Sequence, residues 1–436
     1  MAQPEVEFEV DLETGPGTGP EAYPEASPEA SPEAGPEASL AQHAALREGI
    51  GPASALVALG LCGVFAFQCL YATQPLLPMF QQVFHAGKSA VALTVSASTL
   101  GVAFAAPIVG LLAQRLSRKR VIVASIAALS VPTLLAATSH GLHALVFWRL
   151  LQGLILPGIF ATTIAYVTEE WPPERVPAAM SFYICGTVTG GFIGRVIAGI
   201  LADYYGWRAA FIVLGAVTLV GAGVVARLLP RERSRPSAHA HLSRGAADRF
   251  RLLSARKMLL VYAVGFNILF TLVAMFTYAT FHLSAPPFHL STTALSWIFS
   301  VYLAGLVVTP LAGISLGRIG LRQGLVMAAG LSVAGVLLTL VPQLWVVLAG
   351  LALCSSGVFV SQAAATSYLR VVAPAQVRTM AAGLYLSAYY LGGTAGGEVP
   401  SWVWNHAGRV GGWPACVLLV AALGCVTMAM AWWGWE

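Results

Sequence analysis

The sequence predicts an all-α membrane protein, with twelve transmembrane helices in two six-helix bundles related by a parallel repeat. Three observations point there. Hydrophobic residues make up 57% of the 436 positions and charged residues only 10%, with a mean hydropathy of +0.74; a soluble globule needs about 25% charged residues to keep its surface wet. Apolar runs recur twelve times, each long enough for the roughly 20 residues that cross a hydrocarbon layer. The two halves of the chain also echo each other's loops in the same order. The 44 Gly and 25 Pro show no three-residue period, which excludes a collagen-like chain. No run alternates as ten-residue strands, which excludes a transmembrane barrel.

The elements begin with an acidic tail. Ten of the 19 acidic residues lie in the first 40 positions, which hold no Lys or Arg. Five tetrads run from Pro20 to Ser39 (PEAY, PEAS, PEAS, PEAG, PEAS). Proline at every fourth position blocks a helix, and alternating Glu and Ala bury nothing, so residues 1–50 read as a solvated, disordered cytoplasmic tail. An acidic start also excludes a signal peptide, which needs a cationic start and an apolar core. Residues 51–229 form the first bundle, with spans at 53–80, 89–114, 120–138, 142–168, 177–202 and 208–229. Residues 230–257 are a Pro-, Ser- and Arg-rich cytoplasmic linker, with a short amphipathic helix from Ala247 against the inner leaflet. Residues 258–436 form the second bundle, with spans at 258–283, 292–316, 322–341, 343–369, 379–404 and 412–435.

Orientation follows from Lys and Arg, which collect in cytoplasmic loops. With the tail inside, 19 of the 24 face the cytoplasm: Arg47, Arg115, Arg118, Lys119, Arg120, Arg175, nine between Arg227 and Lys257, Arg318, Arg322, Arg370 and Arg378. Only Lys88, Arg208 and Arg409 face outward, and Arg149 and Arg195 lie within spans. Both termini are therefore expected on the inner side of the cytoplasmic membrane. The basic charge is explained by topology, not by nucleic acid.

The repeat is visible in two loops. Gly110 to Arg120 (GLLAQRLSRKR) joins spans two and three, and Gly313 to Arg322 (GISLGRIGLR) joins spans eight and nine, 203 positions later. Gly206-Trp207 precedes span six, and Gly412-Trp413 precedes span twelve. A parallel repeat places a binding site between the halves, near the midplane.

Six plus six helices with these loops resemble the major facilitator superfamily, from Pro52 to Glu436. The loop GLLAQRLSRKR is similar to the family signature between helices two and three, with Gly110, Arg115 and the cluster from Arg118 to Arg120 in place. It departs at Gln114, where the family has an acidic residue that helps latch the halves, and at Ser117, where it has glycine. In span four, Arg149-Leu-Leu-Gln-Gly153 resembles the family's R-x-x-Q-G motif, which the resemblance links to proton movement. In span five, the stretch with Gly186, Gly190, Gly191 and Gly194 resembles the glycine-rich antiporter motif, with Gly191 where proline is usual. YATQPLLP (Tyr71 to Pro78) and GRVIAGILADYYGWR (Gly194 to Arg208) resemble bacterial exporters of the drug:proton antiporter type.

Ionisable side chains deep in a bilayer cost several kcal/mol and are kept for a reason. Arg149 lies about 12 Å along span four from its outer end, at 1.5 Å per residue. Its guanidinium cannot discard a proton. It either sets the field for a partner charge or is a structural arginine held by carbonyls of span one. Arg195 follows Gly194 on a glycine face suited to close helix approach, and substrate contact, gating and a structural ion pair are all open to it. Glu398 is the one carboxylate well inside a span, either a proton carrier or a wet residue near the interface marked by Trp402 and Trp404. Asp203 and Arg208 are expected to cap and pair at an outer loop. Glu169, Glu170, Glu174 and Arg175 are candidates for an inner latch in place of the one lost at Gln114.

For a substrate cavity the candidates are Gln68, Tyr71, Gln74, Asn267, Tyr278, Gln362 and Tyr368, with Tyr385, Tyr389 and Tyr390 as a further wall. Aromatic residues suit flat organic molecules. Cys62, Cys69, Cys185, Cys354, Cys416 and Cys425 all fall in apolar runs without metal-ligand spacing, so neither a disulfide framework nor a zinc site is expected. There is no phosphate-cradling G-x-x-x-x-G-K-[ST] loop, so ATP is not the expected energy source. No enzyme and no cofactor are expected. The reading that results is a monomeric secondary active transporter in the bilayer, exporting a small organic molecule against proton entry by rocking of its two halves. An uncoupled facilitator or organic-anion carrier, and a non-transporting receptor or scaffold, stay open.

Overall fold

The computed structural model describes residues 53–112, 116–172, 174–232, 251–374 and 377–435; the expected tail and most of the expected linker fall outside them. Gly51–Glu436 forms one compact unit. Without water in a bilayer, a spanning segment must satisfy its own backbone, and a helix does so. Twelve helical segments cross the described unit. The first bundle has α1 (Ala53–Phe84), α2 (Lys88–Leu112), α3 (Arg118–Ala136), α4 (Leu142–Glu170), α5 (Val176–Tyr205) and α6 (Trp207–Leu228). The second has α7 (Arg256–Ser284), α8 (Thr292–Ile319, in three pieces), α9 (Leu321–Leu338), α10 (Leu344–Val372), α11 (Arg378–His406) and α12 (Gly412–Gly434). All twelve expected spans are present, each shifted by a few residues.

Ten of these are long and apolar enough to cross a membrane by length and composition. The other two depart for local reasons. In α8 a 3-10 stretch, Ile298–Leu303, interrupts the helix. Helix α11 is long enough but carries Glu398, three tyrosines and a run of glycines. The outer surface of the unit suits lipid: Phe104 is 62% and Val220 68% exposed. Near helix ends, Tyr205 (77%), Trp345 (80%), Trp402 (65%) and Trp433 (75%) are exposed as an interfacial belt requires.

The repeat shows in packing. Helix α1 lies against α5 in the first bundle as α7 lies against α11 in the second. Both contacts need glycine: a Cβ on Gly194 would sit 2.1 Å from the Gln68 carbonyl oxygen, and one on Gly392 1.9 Å from that of Phe266. Helices α6 and α12 both start after a glycine with φ near +85°, at Gly206 and Gly411. The strained residue in the second copy is thus Gly411, one position before the Gly412 that the sequence echo suggests. It places Trp413 where Trp207 stands in the first copy, and both rings are buried.

The C-terminal ends of α2, α4, α6, α8 and α10 and the N-terminal ends of α3, α5, α7, α9 and α11 share one face of the described unit, here the linker face. The bundles meet along two seams, α2 against α11 and α5 against α8. Gly194→Ala should lower stability by about 1–3 kcal/mol, the cost of overpacking a tight contact. Gly223→Ala, with nothing within 4 Å of the added carbon, should leave it unchanged. Thermal unfolding of the detergent-purified protein checks both.

Candidate functional site

The site is built on a break in α1. The helix runs to Leu70, turns through Tyr71 to Thr73, and resumes as a 3-10 turn at Gln74–Leu76. Pro75 has no amide N–H to continue the ladder. The Gln74 amide therefore donates to the Tyr71 carbonyl (3.1 Å), and Leu76 donates to Thr73 (3.0 Å). The carbonyls of Cys69 and Leu70 turn instead to Arg149 of α4, accepting from Nη1 (2.7 Å) and Nη2 respectively. Its remaining donors go to the Thr94 carbonyl (2.8 Å), Gln152 Oε1 and Ser98 Oγ (3.0 Å). All five guanidinium N–H groups are used, and Arg149 is fully buried.

That break aims Tyr71 and Gln74 at the α5–α8 seam. Gln74 Oε1 accepts from Arg195 Nε (2.9 Å) and Nη2 (2.7 Å), while its amide nitrogen donates to Thr277 Oγ1 of α7 (3.2 Å). Arg195 Nη1 donates to the Gly191 carbonyl (2.6 Å). Three rings surround the guanidinium carbon, with centroids at 4.9 Å (Tyr71), 4.6 Å (Phe299) and 5.0 Å (Tyr302). These distances are within cation–π range. Two rings come from the second bundle and the arginine from the first. Among the described residues no carboxylate pairs with Arg195 or Arg149.

The second seam carries Glu398. Its Oε2 accepts from Ser89 Oγ of α2 (3.0 Å). Its Oε1 is buried, and Ser96 Oγ, two turns along α2, stands beside the same carboxyl. Lys88 Nζ lies 5.2 Å from the Trp404 ring and 5.9 Å from that of Phe281. Further along, Thr99 and Thr394 hydroxyls meet at 3.0 Å, and Ser387 Oγ donates to the Ala103 carbonyl (2.9 Å). Glu398 and Arg195 stand on opposite seams.

Other sequence candidates go elsewhere. Gln68 donates to Thr218 (2.8 Å) inside the first bundle, and Asn267 to Thr427 (3.1 Å) inside the second. Tyr278 donates to the Gly397 carbonyl (2.7 Å). Tyr368 stacks on Trp435 at 4.0 Å. Tyr389 donates to Gln362 Oε1 (3.1 Å) and lies in a row with Tyr385 and Tyr390. Tyr390 stacks on Phe160 of α4 at 6.0 Å, a further contact between bundles. Gly190 and Gly194 face α1, and Gly191 faces Arg195. Gly110 lies in the last turn of α2, whereas Gln114 and Arg115 fall outside the described residues.

On the linker face, Arg118 grips Glu169 with two nitrogens, Nη2 to Oε1 at 2.6 Å and Nε to Oε2 at 3.1 Å. That pair ties α3 to α4 within one bundle and does not cross to the other. The expected pairing of Asp203 with Arg208 is also absent: Arg208 donates to the Ser139 carbonyl (3.0 Å) and lies over Trp207. Asp203 instead accepts from the Thr293 amide (2.6 Å), capping the first turn of α8 across the seam. Sequence reasoning missed Ser89, Ser96, Thr277, Phe299 and Tyr302. For Thr277 a signal existed: it stands 203 positions after Gln74, the spacing of the repeated loops.

Arg149→Lys keeps the charge but offers three donors to five acceptors. With two buried acceptors left bare, it should lose about 2–4 kcal/mol of stability, measured by thermal unfolding beside wild type.

Comparison with known proteins agrees with this architecture. The family model described as Major Facilitator Superfamily matches residues 59–287. The inner membrane transport protein YnfM of Escherichia coli (strain K12) is 32% identical over 371 residues, covering 84% of this chain and 88% of its own. An uncharacterized transporter of Buchnera aphidicola subsp. Schizaphis graminum is 30% identical over 356 residues, covering 82% and 86%. Among solved structures, a bacterial homologue of the human lysosomal transporter Spinster, inward-facing and occupied, superposes with a TM-score of 0.71. It shares 16% identity and covers 87% of this chain and 96% of its own. The chain thus belongs to the Major Facilitator Superfamily, as a multi-pass membrane transporter and not an enzyme.

Proposed function

We propose that this transporter exports a small organic molecule in exchange for protons, by alternating access of its two bundles, with the linker face and both termini in the cytoplasm. Glu398 is the observation that carries proton coupling. It is a carboxyl held across the α2–α11 seam by Ser89, with its second oxygen buried beside the Ser96 hydroxyl. A proton arriving there changes one of the bonds that join the bundles. Binding and opening are then linked, because a proton that prefers one state of the seam shifts the population of that state.

Support for export comes from the resemblance of the glycine face of α5 and the Tyr71 to Pro78 stretch to drug:proton antiporters. Support for the orientation comes from the 19 Lys and Arg on one side against three on the other. In this reading Arg195 and Tyr71 line the substrate path, and Gly190 and Gly194 let α1 and α5 move as one piece.

Proteoliposomes holding a pH-sensitive dye test the coupling, with wild type and Glu398→Gln challenged by lipophilic cations, organic anions and sugars. Substrate-evoked proton flux should be lost in Glu398→Gln while exchange of labelled for unlabelled substrate persists. Unchanged proton flux in the variant would remove Glu398 from the mechanism. Wild-type substrate uptake without proton movement would replace the antiporter with a facilitator.

A further inference from the structure

Building on the transport reading, we infer that the cargo is an organic anion with a flat ring, whose acidic group is held by Arg195. The guanidinium is 3% exposed and keeps its charge at any physiological pH. A buried charge ordinarily has a counter-ion. Here every partner is neutral: one amide oxygen, one backbone carbonyl and three rings. Three of the five N–H groups are used, and the other two have no acceptor among the described residues. That is what an arginine waiting for a carboxylate or sulfonate looks like, since such groups take two parallel N–H bonds.

The surroundings favour the same chemistry. Arg149 is fully hydrogen-bonded and cannot grip a ligand, but its charge still acts on Tyr71 together with that of Arg195. Glu398, the carboxyl at comparable depth, is turned to Ser89 on the other seam. The field around Tyr71 is therefore positive and favours an anion in this low-dielectric setting. Tyr71, Phe299 and Tyr302 offer ring faces. An anion seated there also neutralises the charge that draws Phe299 and Tyr302 toward the first bundle. Occupancy thus loosens the α5–α8 seam, which links cargo to opening.

The test uses naphthalene-2-sulfonate and 2-naphthoate as anions, N-methylquinolinium as a cation of the same ring size, and 2-naphthylmethanol as a neutral analogue. Binding to the full-length protein in detergent is read by equilibrium dialysis, and flux in proteoliposomes by uptake of the same probes. Both anions should bind saturably and compete with each other, and the cation and alcohol should not. Gln74→Glu places an internal carboxylate on Arg195 at unchanged side-chain length. It should weaken anion binding by about tenfold or more, the scale of one charge-assisted contact, with the thermal midpoint kept. Arg195→Gln serves as the second variant should Gln74→Glu fail to fold. Preference for the cation, equal binding of all probes, no saturable anion binding, or anion affinity unchanged in the folded variant would each overturn the anion site. Flux of the cation in those cases leaves the transport reading standing, whereas anion binding with no flux under any gradient keeps the site and removes the transport reading.

Discussion

The interaction on which the site depends is the filling of the α1 break by Arg149. A helix interrupted inside a bilayer leaves carbonyls that nothing in lipid can satisfy. One guanidinium meets the Cys69 and Leu70 carbonyls and ties them to α2 through Thr94 and Ser98. The break in turn swings Tyr71 and Gln74 out of the helical register and into the space between bundles. Without it, Arg195 would lose the amide oxygen that orients it. A residue that touches no cross-bundle partner thus decides the geometry of one that does.

The two seams are built from different chemistry at matching positions. Arg195 and Glu398 stand 203 residues apart, the spacing of the repeated loops and of the Gln74–Thr277 pair. One helix of each repeat therefore carries an ionisable group at nearly the same level, a guanidinium on α5 and a carboxyl on α11. On α5 the charge is met by rings, and on α11 by hydroxyls. In the proposed alternating access, a rocking motion about the axis relating the halves treats equivalent positions alike and would uncover both charges to the same side. Cation–π contacts and single hydroxyl bonds are each worth about 0.5–3 kcal/mol, strong enough to define a state and weak enough to exchange.

Fold and site were legible to different degrees. Spans could be read because lipid forces each helix to be long and apolar, and the twelve runs fall within a few residues of the helices. Ionisable residues at depth stood out for the same reason, so Arg149, Arg195 and Glu398 were visible from sequence. Their partners were not. Ser89, Phe299 and Tyr302 are ordinary residues of apolar runs, and only the apposition of helices more than 100 residues apart gives them a role. Gln68 and Asn267 show the converse: polar residues on α1 and α7 resemble cavity lining, yet each turns inward to a threonine of its own bundle. A helix face cannot be told from its neighbour when both are apolar.

The Asp203 cap has a consequence for hydration. In the closed seam its carboxylate satisfies the first turn of α8, which belongs to the other bundle. That bond lies at exposed surface, and Asp203 itself is exposed, so water stands ready to replace either partner. Breaking it strands neither the amide nor the carboxylate, although a helix start leaves four N–H groups to satisfy. The rim of this seam is thus a wet clasp, cheap to undo and screened by salt, set beside the buried ring contacts of Arg195 along the same seam.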